Sequence, residues 1–162
     1  MLVKTYSSTV EGIDARTITV EVNLSPGIRF LVVGLPDNAV RESQQRITAA
    51  FANNGFRMPG FNILVNMAPA DMRKVGSHYD LPIAVGILAA SKQVAAEGTL
   101  ERYVLIGELS LDGTLLPVKG ALPIAVQARK EGFEGIVLPE ANAREAAVVQ
   151  NLKVFGVRDL KP

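Results

Sequence analysis

Three side chains that can take part in acyl transfer lie within four positions of the segment KVGSHYD, residues 74–80. Ser77 has the hydroxyl of a nucleophile, His78 is the only histidine of the chain, and Asp80 has a carboxylate that could orient an imidazole. A catalytic triad needs the serine on one imidazole nitrogen and the acid on the other. Adjacent residues on a loop that enters a helix project in divergent directions, so we do not expect a triad here.

The same segment can instead begin a helix, because an apolar run starts at Leu81. With Ser77 as the N-cap of a capping box, Pro82 would lie too deep in the helix, and its missing N–H would forfeit a hydrogen bond. With Asp80 as the N-cap, Pro82 lies in the first turn, where the N–H has no partner anyway. We therefore predict Asp80 as the N-cap, a contribution of about 1 kcal/mol. Its carboxylate would then occupy a helix N-terminus that otherwise favours an anion or an ionised nucleophile.

Other kinds of chemistry have little support in the sequence. The chain has no cysteine, which excludes disulfides and thiolate catalysis, and its single histidine lacks the HExxH-type spacing of a metal site. No GxxxxGK[ST] loop is present, and GLPDNAV at 34–40 lacks the further glycines of a dinucleotide-binding turn. A net charge of +1 gives no overall field that attracts nucleic acid. We expect neither a cofactor nor a metal site in this chain.

Hydrophobic patterning places most strands early and most helices late, which favours an α+β fold in a single domain. Strands are predicted at 3–10, 15–22, 28–33, 61–67, 103–107, 135–138 and 153–157, with a hairpin at 109–116. Helices are predicted at 38–53, from 80 to about 91, at 120–131 and at 141–149. Asp37 is the predicted N-cap of the first helix, and Asn54-Gly55 its stop. The sequence has no secretion signal and no apolar run long enough for a membrane span, so we expect a cytoplasmic location.

Five blocks of sequence together resemble a known family. They are EGIDA at 11–15, VGLPDNAVRES at 33–43, NMAPAD at 66–71, GSHYDLPIA at 76–84 and GELSLDG at 107–113. In this order they span nearly the whole chain, and they resemble the N-terminal domain of the ComM/YifB group of magnesium-chelatase-like AAA+ proteins. The segments IGE, GTLLPV and VLPEAN are in turn similar to the proteolytic domain of Lon.

The resemblance implies both a fold and a place in a larger protein. The implied fold is that of the Lon proteolytic domain, related to domain 2 of a ribosomal small-subunit protein, with a mixed sheet packed with helices. Residues 1–158 would form this domain, and 159–162 would begin a linker to an AAA+ domain outside the chain. That domain would use ATP and Mg²⁺ and form hexamers. The full-length protein would process DNA in natural transformation or branch migration, with no membrane partner. A chelatase accessory role is suggested by the family name alone.

The resemblance also bears on catalysis. Lon-type proteases use a Ser-Lys dyad, and the two matching positions of this chain are occupied by His78 and Leu122. The resemblance therefore implies the fold without the chemistry, and no catalytic residue. An alternative remains, because Ser77 is one residue out of register and Lys119 is about one helical turn before the expected lysine. A shifted Ser77/Lys119 dyad would make the chain a protease. Glu108 is interpreted as structural.

The candidate contact surface consists of Arg41, Arg46, Arg73, Lys74 and His78. If these residues bind DNA, the affinity should fall steeply with salt. Acidic residues are interspersed through the chain, so we favour solvated charges for the four cations. A lone histidine beside a helix start is more typical of a surface loop than of a ligand contact. The surface would serve assembly, a protein partner or DNA.

Overall fold

The computed structural model describes residues 1–96 and 98–160 and contains a seven-stranded mixed sheet with helices on both faces. The strands are β1 Leu2–Glu11, β2 Asp14–Ser25, β3 Phe30–Val33, β4 Asn62–Ala68, β5 Tyr103–Leu105, β6 Glu108–Leu109, β7 Leu115–Leu116, β8 Gly135–Pro139 and β9 Lys153–Val157. The helices are α1 Asn38–Arg41, α2 Ser43–Ala52, α3 Asp80–Ala90, α4 Ala121–Lys130 and α5 Ala143–Ala146. The sheet order is β3-β4-β2-β1-β5-β8-β9, and β6 and β7 form a separate hairpin. The predicted α+β class is consistent with this arrangement.

The predicted N-terminal hairpin is confirmed. Strands β1 and β2 pair antiparallel, and Gly12 adopts a φ of +68° in the turn between them. Along β2, Ile18, Val20 and Val22 are fully buried, whereas Thr17 and the other odd-numbered neighbours point to the opposite face. The alternation of β-branched and polar residues thus assigns one face of the hairpin to a core.

Strand β3 is shorter than predicted and lies at the edge of the sheet, parallel to β4. It starts at Phe30 because the preceding turn is fixed by Asn62, whose side chain accepts from Arg29 N–H (2.8 Å) and donates to the Pro26 carbonyl (2.9 Å). The strand ends at Val33, and the next residue, Gly34, has a φ of +105° and runs so close to the Met67 carbonyl that a Cβ would not fit.

The predicted helix 38–53 is two helices. Asp37 caps α1 as predicted, accepting from Val40 N–H (2.8 Å). The helical ladder is interrupted at Glu42, whose carbonyl accepts a 3₁₀-type bond from Gln45 N–H (3.1 Å) before α2 continues. The predicted stop is confirmed, because Gly55 has a φ of +78° after the end of α2.

The sheet separates two cores. On its first face, α2 and the apolar helix α3 pack on β1, β2, β4 and β3. On its second face, α4 lays Ala121, Ile124, Ala125 and Ala128 on β1, β2 and β8, and α5 packs beside it. The second face is therefore covered over β5 and β8 but carries exposed apolar side chains at the β3 and β4 end.

The C-terminal segment packs on the β6–β7 hairpin. Thr114 and Asp159 form an isolated bridge, and Leu160 N–H donates to the Gly113 carbonyl (3.2 Å). The packed chain thus continues to residue 160, past the predicted boundary at 158, and residues 161–162 of the predicted linker lie outside the described residues. The predicted helix 141–149 is a 3₁₀ turn, Glu140–Asn142, followed by α5. Among the described residues, no helix has both the length and the apolar character to cross a bilayer.

Candidate functional site

The loop before α3 is held beside strand β6 by backbone hydrogen bonds. Gly107 N–H donates to the His78 carbonyl (2.9 Å), and Leu81 N–H donates to the Gly107 carbonyl (3.0 Å). These two bonds place Glu108, the first residue of β6, next to Ser77. The Ser77 hydroxyl donates a hydrogen bond to Glu108 Oε1.

His78 is half-buried against the end of β1, which corrects the expectation of a surface loop residue. Its Nε2 lies 3.0 Å from the Ser8 carbonyl oxygen, and because a carbonyl can only accept, Nε2 carries the proton. Burial lowers the pKa of His78, which favours the neutral imidazole. The ring packs on that of Tyr79, with 4.0 Å between centroids, and burial raises the pKa of Tyr79 to about 12. His78 is therefore a neutral donor fixed inside the fold.

The predicted role of Asp80 as N-cap is wrong. Tyr79 occupies the N-cap position, and Asp80 is the first residue of α3 with a side chain that is 1% exposed. Its carboxylate instead accepts from Arg46 Nε (2.6 Å), from Arg46 Nη2 (3.0 Å) and from Leu109 N–H (3.1 Å). A two-pronged guanidinium satisfies a buried carboxylate better than the free amides of a helix start.

The charges of this pair affect each other's ionisation. Burial raises the pKa of Asp80, opposed by the hydrogen bonds from Arg46 and the backbone. The hydrogen bond to Asp80 in turn raises the pKa of Arg46. The pair joins α2 to the start of α3 and to β6, so it positions both Ser77 and Glu108.

A pocket of about 380 Å³ opens between this loop, the end of β1 and the segment before α4. Ser77, His78, Glu108 and Lys119 line it, together with Thr9. The two residues of the alternative dyad thus share one pocket. Among the described residues, however, no hydrogen bond joins Ser77 to Lys119, which is exposed. The Ser77 proton points to a carboxylate, a weaker base than the neutral amine that a Ser-Lys dyad uses.

Two cations of the predicted contact surface have partners inside the fold. Arg46 is bound to Asp80, and Lys74 is fully buried, which corrects its assignment to a surface. Lys74 Nζ donates to the Gly34 carbonyl (2.7 Å) and to the Pro69 carbonyl, and burial lowers the pKa of Lys74. The ammonium satisfies two loop carbonyls that have no strand partner, which explains a lysine at this position.

The other two cations, Arg41 and Arg73, are exposed. Neither forms an ion pair with a described residue. The five predicted residues therefore do not form one continuous surface, because three of them hold the fold together.

The structure adds Glu108, which the sequence analysis interpreted as structural, and Thr9, which it did not consider, to the site. A signal for Glu108 was available, since it follows Gly107 in one of the blocks that carry the family resemblance. Thr9 reaches the pocket only through the pairing of β1, and no local pattern indicates it. In residues 1–96 and 98–160 there is no group of three or more histidine, aspartate or glutamate side chains that could hold a metal.

Comparison with known proteins relates these features to a family. The family described as "Subunit ChlI of Mg-chelatase" matches residues 20–142 of the chain. The competence protein ComM of Haemophilus influenzae is 40% identical over 156 residues, which cover 96% of this chain and 30% of that protein. Two proteins named YifB are also similar, from Salmonella typhimurium (44% over 145 residues, 89% of this chain and 28% of that protein) and from Escherichia coli (43% over 139 residues, 85% and 27%).

The chain therefore spans 27 to 30% of the length of these relatives. The resemblance to ComM and YifB is confirmed at 40–44% identity over most of the chain. In chain order, the match over residues 20–142 runs from the second half of β2 through β8, and it includes the Ser77 loop and the Arg46–Asp80 pair. The chain belongs to the family of the Mg-chelatase subunit ChlI.

Proposed function

We propose that the chain is a non-catalytic, Lon-like domain of a larger Mg-chelatase-like AAA+ ATPase. Its task is contact, either within the assembly or with a partner or DNA. The family match and the sequence similarity of its hairpin and C-terminal segments to Lon support the fold. The larger protein forms hexamers in the cytoplasm and processes DNA, a role supported by the name of the competence protein ComM.

The observation that carries the non-catalytic role is that each of the three reactive side chains in the loop before α3 and at its start is bound by an internal partner. Ser77 donates to Glu108, His78 donates to the Ser8 carbonyl, and Asp80 is bound by Arg46. A nucleophilic serine needs a base that takes its proton and then returns it to the leaving group. Here the proton is held by a carboxylate that is part of the fold.

ATP and Mg²⁺ belong to the part of the protein outside this chain. These 162 residues contain no phosphate-binding loop of the GxxxxGK[ST] type, and the turn at Gly34 is occupied by the Met67 carbonyl and by Lys74. A phosphate could not approach the backbone there without displacing both. The residues present therefore do not fit a nucleotide.

A serine-reactive phosphonate and a casein substrate test the proposal. We expect no covalent labelling of the wild-type chain and no cleavage, with Ser77→Ala and Lys119→Ala indistinguishable from wild type. Mass spectrometry locates any adduct, and a labelled casein reports turnover. Cleavage that depends on Ser77 and is lost in Lys119→Ala would falsify the non-catalytic role.

A second candidate function, a Ser77/Lys119 protease, is favoured by one observation. Both side chains line the same pocket of about 380 Å³. Activation would require Ser77 to exchange its bond to Glu108 for one to Lys119. Glu108→Gln weakens the existing bond and leaves the shape of the pocket, so on the protease hypothesis it would increase labelling of Ser77. On the contact hypothesis the variant stays unlabelled.

A further inference from the structure

Strand β3 leaves one edge of the sheet open. Arg29 carbonyl accepts from Ile63 N–H (2.8 Å), which turns the backbone of residue 29 towards β4. Because backbone groups alternate in direction along a parallel strand, the N–H and C=O of Phe30 and Val32 point away from the sheet. The sequence FLVV has neither the lysine nor the proline that commonly protects an edge strand.

The open edge is apolar on the face away from the first core. We define the apolar edge as the exposed residues Ile28, Leu31, Val33, Leu35, Leu64 and Val75, which are 39 to 93% exposed. Leu31 and Leu64 are direct neighbours in the β3–β4 register. Exposed apolar groups that cluster in this way commonly mark interaction sites.

Both ends of the strand are fixed within the fold. At its start, Asn62 bonds to Arg29 N–H and to the Pro26 carbonyl. At its end, the buried Lys74 ammonium holds the Gly34 carbonyl, and Lys74 N–H donates to the Leu35 carbonyl (2.9 Å). An edge that is already ordered loses little conformational entropy when another strand pairs with it.

The charge beside the apolar edge is positive. Arg29 follows Ile28, Arg73 lies two residues before Val75, and neither forms an ion pair with a described residue. Two nearby carboxylates are bound within the fold, since Asp37 caps α1 and Glu21 accepts from Asn66, and the charge of the exposed Asp71 acts on the buried Lys74.

The positive charge of Arg29 and Arg73 distinguishes between the molecules that could bind the apolar edge. A second copy that paired through the same edge would bring like charges together, which opposes a symmetric dimer. A nucleic acid would meet the arginines but not the apolar strand, since its backbone is recognised by charge and hydrogen bonds. An extended protein segment with alternating apolar residues and acidic flanks satisfies the free backbone groups, the apolar side chains and the arginines.

We propose that the apolar edge binds such an acidic, apolar protein segment as an eighth strand beside β3. The main-chain bonds to Phe30 and Val32 would supply affinity, while Leu31 and Val33 would select its side chains. This inference rests on the proposed function of the chain as a contact domain and names the chemistry of its partner.

Selection from a phage-displayed library of random 12-residue peptides tests the inference. We expect the selected peptides to alternate apolar and polar residues and to be enriched in aspartate and glutamate. On binding of the best synthetic peptide, hydrogen exchange should slow at the amides of Phe30 and Val32. Selected peptides without this pattern, protection elsewhere, or no selected peptide at all would overturn the proposal.

Matched variants sharpen the test. Leu31→Lys should weaken peptide binding at least about tenfold, as expected for a central contact, and Arg29→Glu or Arg73→Glu by several-fold. Phe155→Lys on the opposite edge strand β9 and Arg129→Glu on α4 are controls that should leave the affinity unchanged. Thermal unfolding shows whether each variant is folded, and equal losses at the control sites would count against the edge.

Other occupants give distinct results. Self-association seen by light scattering and abolished by Leu31→Lys would assign the edge to a second copy. Displacement of the peptide by a short DNA duplex, with no effect of Leu31→Lys, would assign the arginines to DNA. Either result overturns the inference. Failure of peptide binding with an unlabelled Ser77 overturns the inference and leaves the proposed contact function standing. Casein cleavage would remove the proposed contact function, and the peptide selection would still decide whether the apolar edge binds a protein segment.

Discussion

The two halves of the sheet's second face have similar strands and different surroundings. Over β5 and β8, Val104, Ile136 and Leu138 are covered by α4 and are at most 1% exposed. At the other end, Leu31 and Leu64 are of the same apolar character but are 43% and 39% exposed. The local sequence forms strands in both halves. Only one half is buried, because helix α4 packs on it. An apolar residue on a strand thus indicates a packing partner, and that partner can belong to another molecule.

Removal of a charged side chain should distinguish the two regions most clearly. The largest loss of unfolding free energy is expected for Arg46. Arg46→Ala would leave the Asp80 carboxylate buried without its partner, so we expect a loss of about 3–5 kcal/mol in the free energy of unfolding. Arg29→Ala at the uncovered end should change it by less than about 0.5 kcal/mol, because that side chain is exposed and forms no ion pair with the residues that the structure describes. Urea unfolding followed by circular dichroism measures both. A small loss for Arg46→Ala would show that water reaches Asp80.

Apolar truncation gives the next effect. Ile136→Ala in the covered half should cost about 2–5 kcal/mol of unfolding free energy, because the side chain is fully buried and leaves a cavity. Leu64→Ala in the uncovered half should cost about 1 kcal/mol or less, because much of that side chain is already in water. Equal losses of unfolding free energy for the two variants would contradict the described difference in burial between the two halves.

The smallest effect concerns pH. Burial lowers the pKa of His78 in the folded chain below its unfolded value of about 6.5, so the unfolded chain binds more protons between these two values. Stability is therefore complete above about pH 6.5 and falls as the pH drops through this window, by no more than about 1.4 kcal/mol per pH unit for one proton. Unfolding free energies at pH 7.5 and 5.5 measure the slope. His78→Gln can still donate to the Ser8 carbonyl, so subtraction of its slope removes the contribution of other groups.

The sequence predicts the elements better than their partners. The alternation in β2 and the Asp37 cap are local signals, and both are confirmed. The role of Asp80 was wrong because the competing partner, Arg46, is 34 residues away and is brought close only by packing. Lys74 was assigned to a surface for a similar reason, since one of its two carbonyl partners, Gly34, lies 40 residues away in the loop after β3. The sequence shows which side chains are charged or reactive. It does not show the tertiary neighbours that determine what each of these side chains binds.

The β6–β7 hairpin links the C-terminal segment to the rest of the chain. Leu160 N–H binds the Gly113 carbonyl, and the side-chain amide of Asn54 binds the Asp112 carbonyl (2.8 Å) from the end of α2. A pulling force applied at Leu160 would therefore load the hairpin as well as β9, and through the hairpin it would reach α2. Because α2 carries Arg46, the same force would reach the Ser77 loop through Asp80. The hairpin thus connects the C-terminal segment to the pocket, and a displacement at Leu160 could reach Ser77 without passing through the sheet.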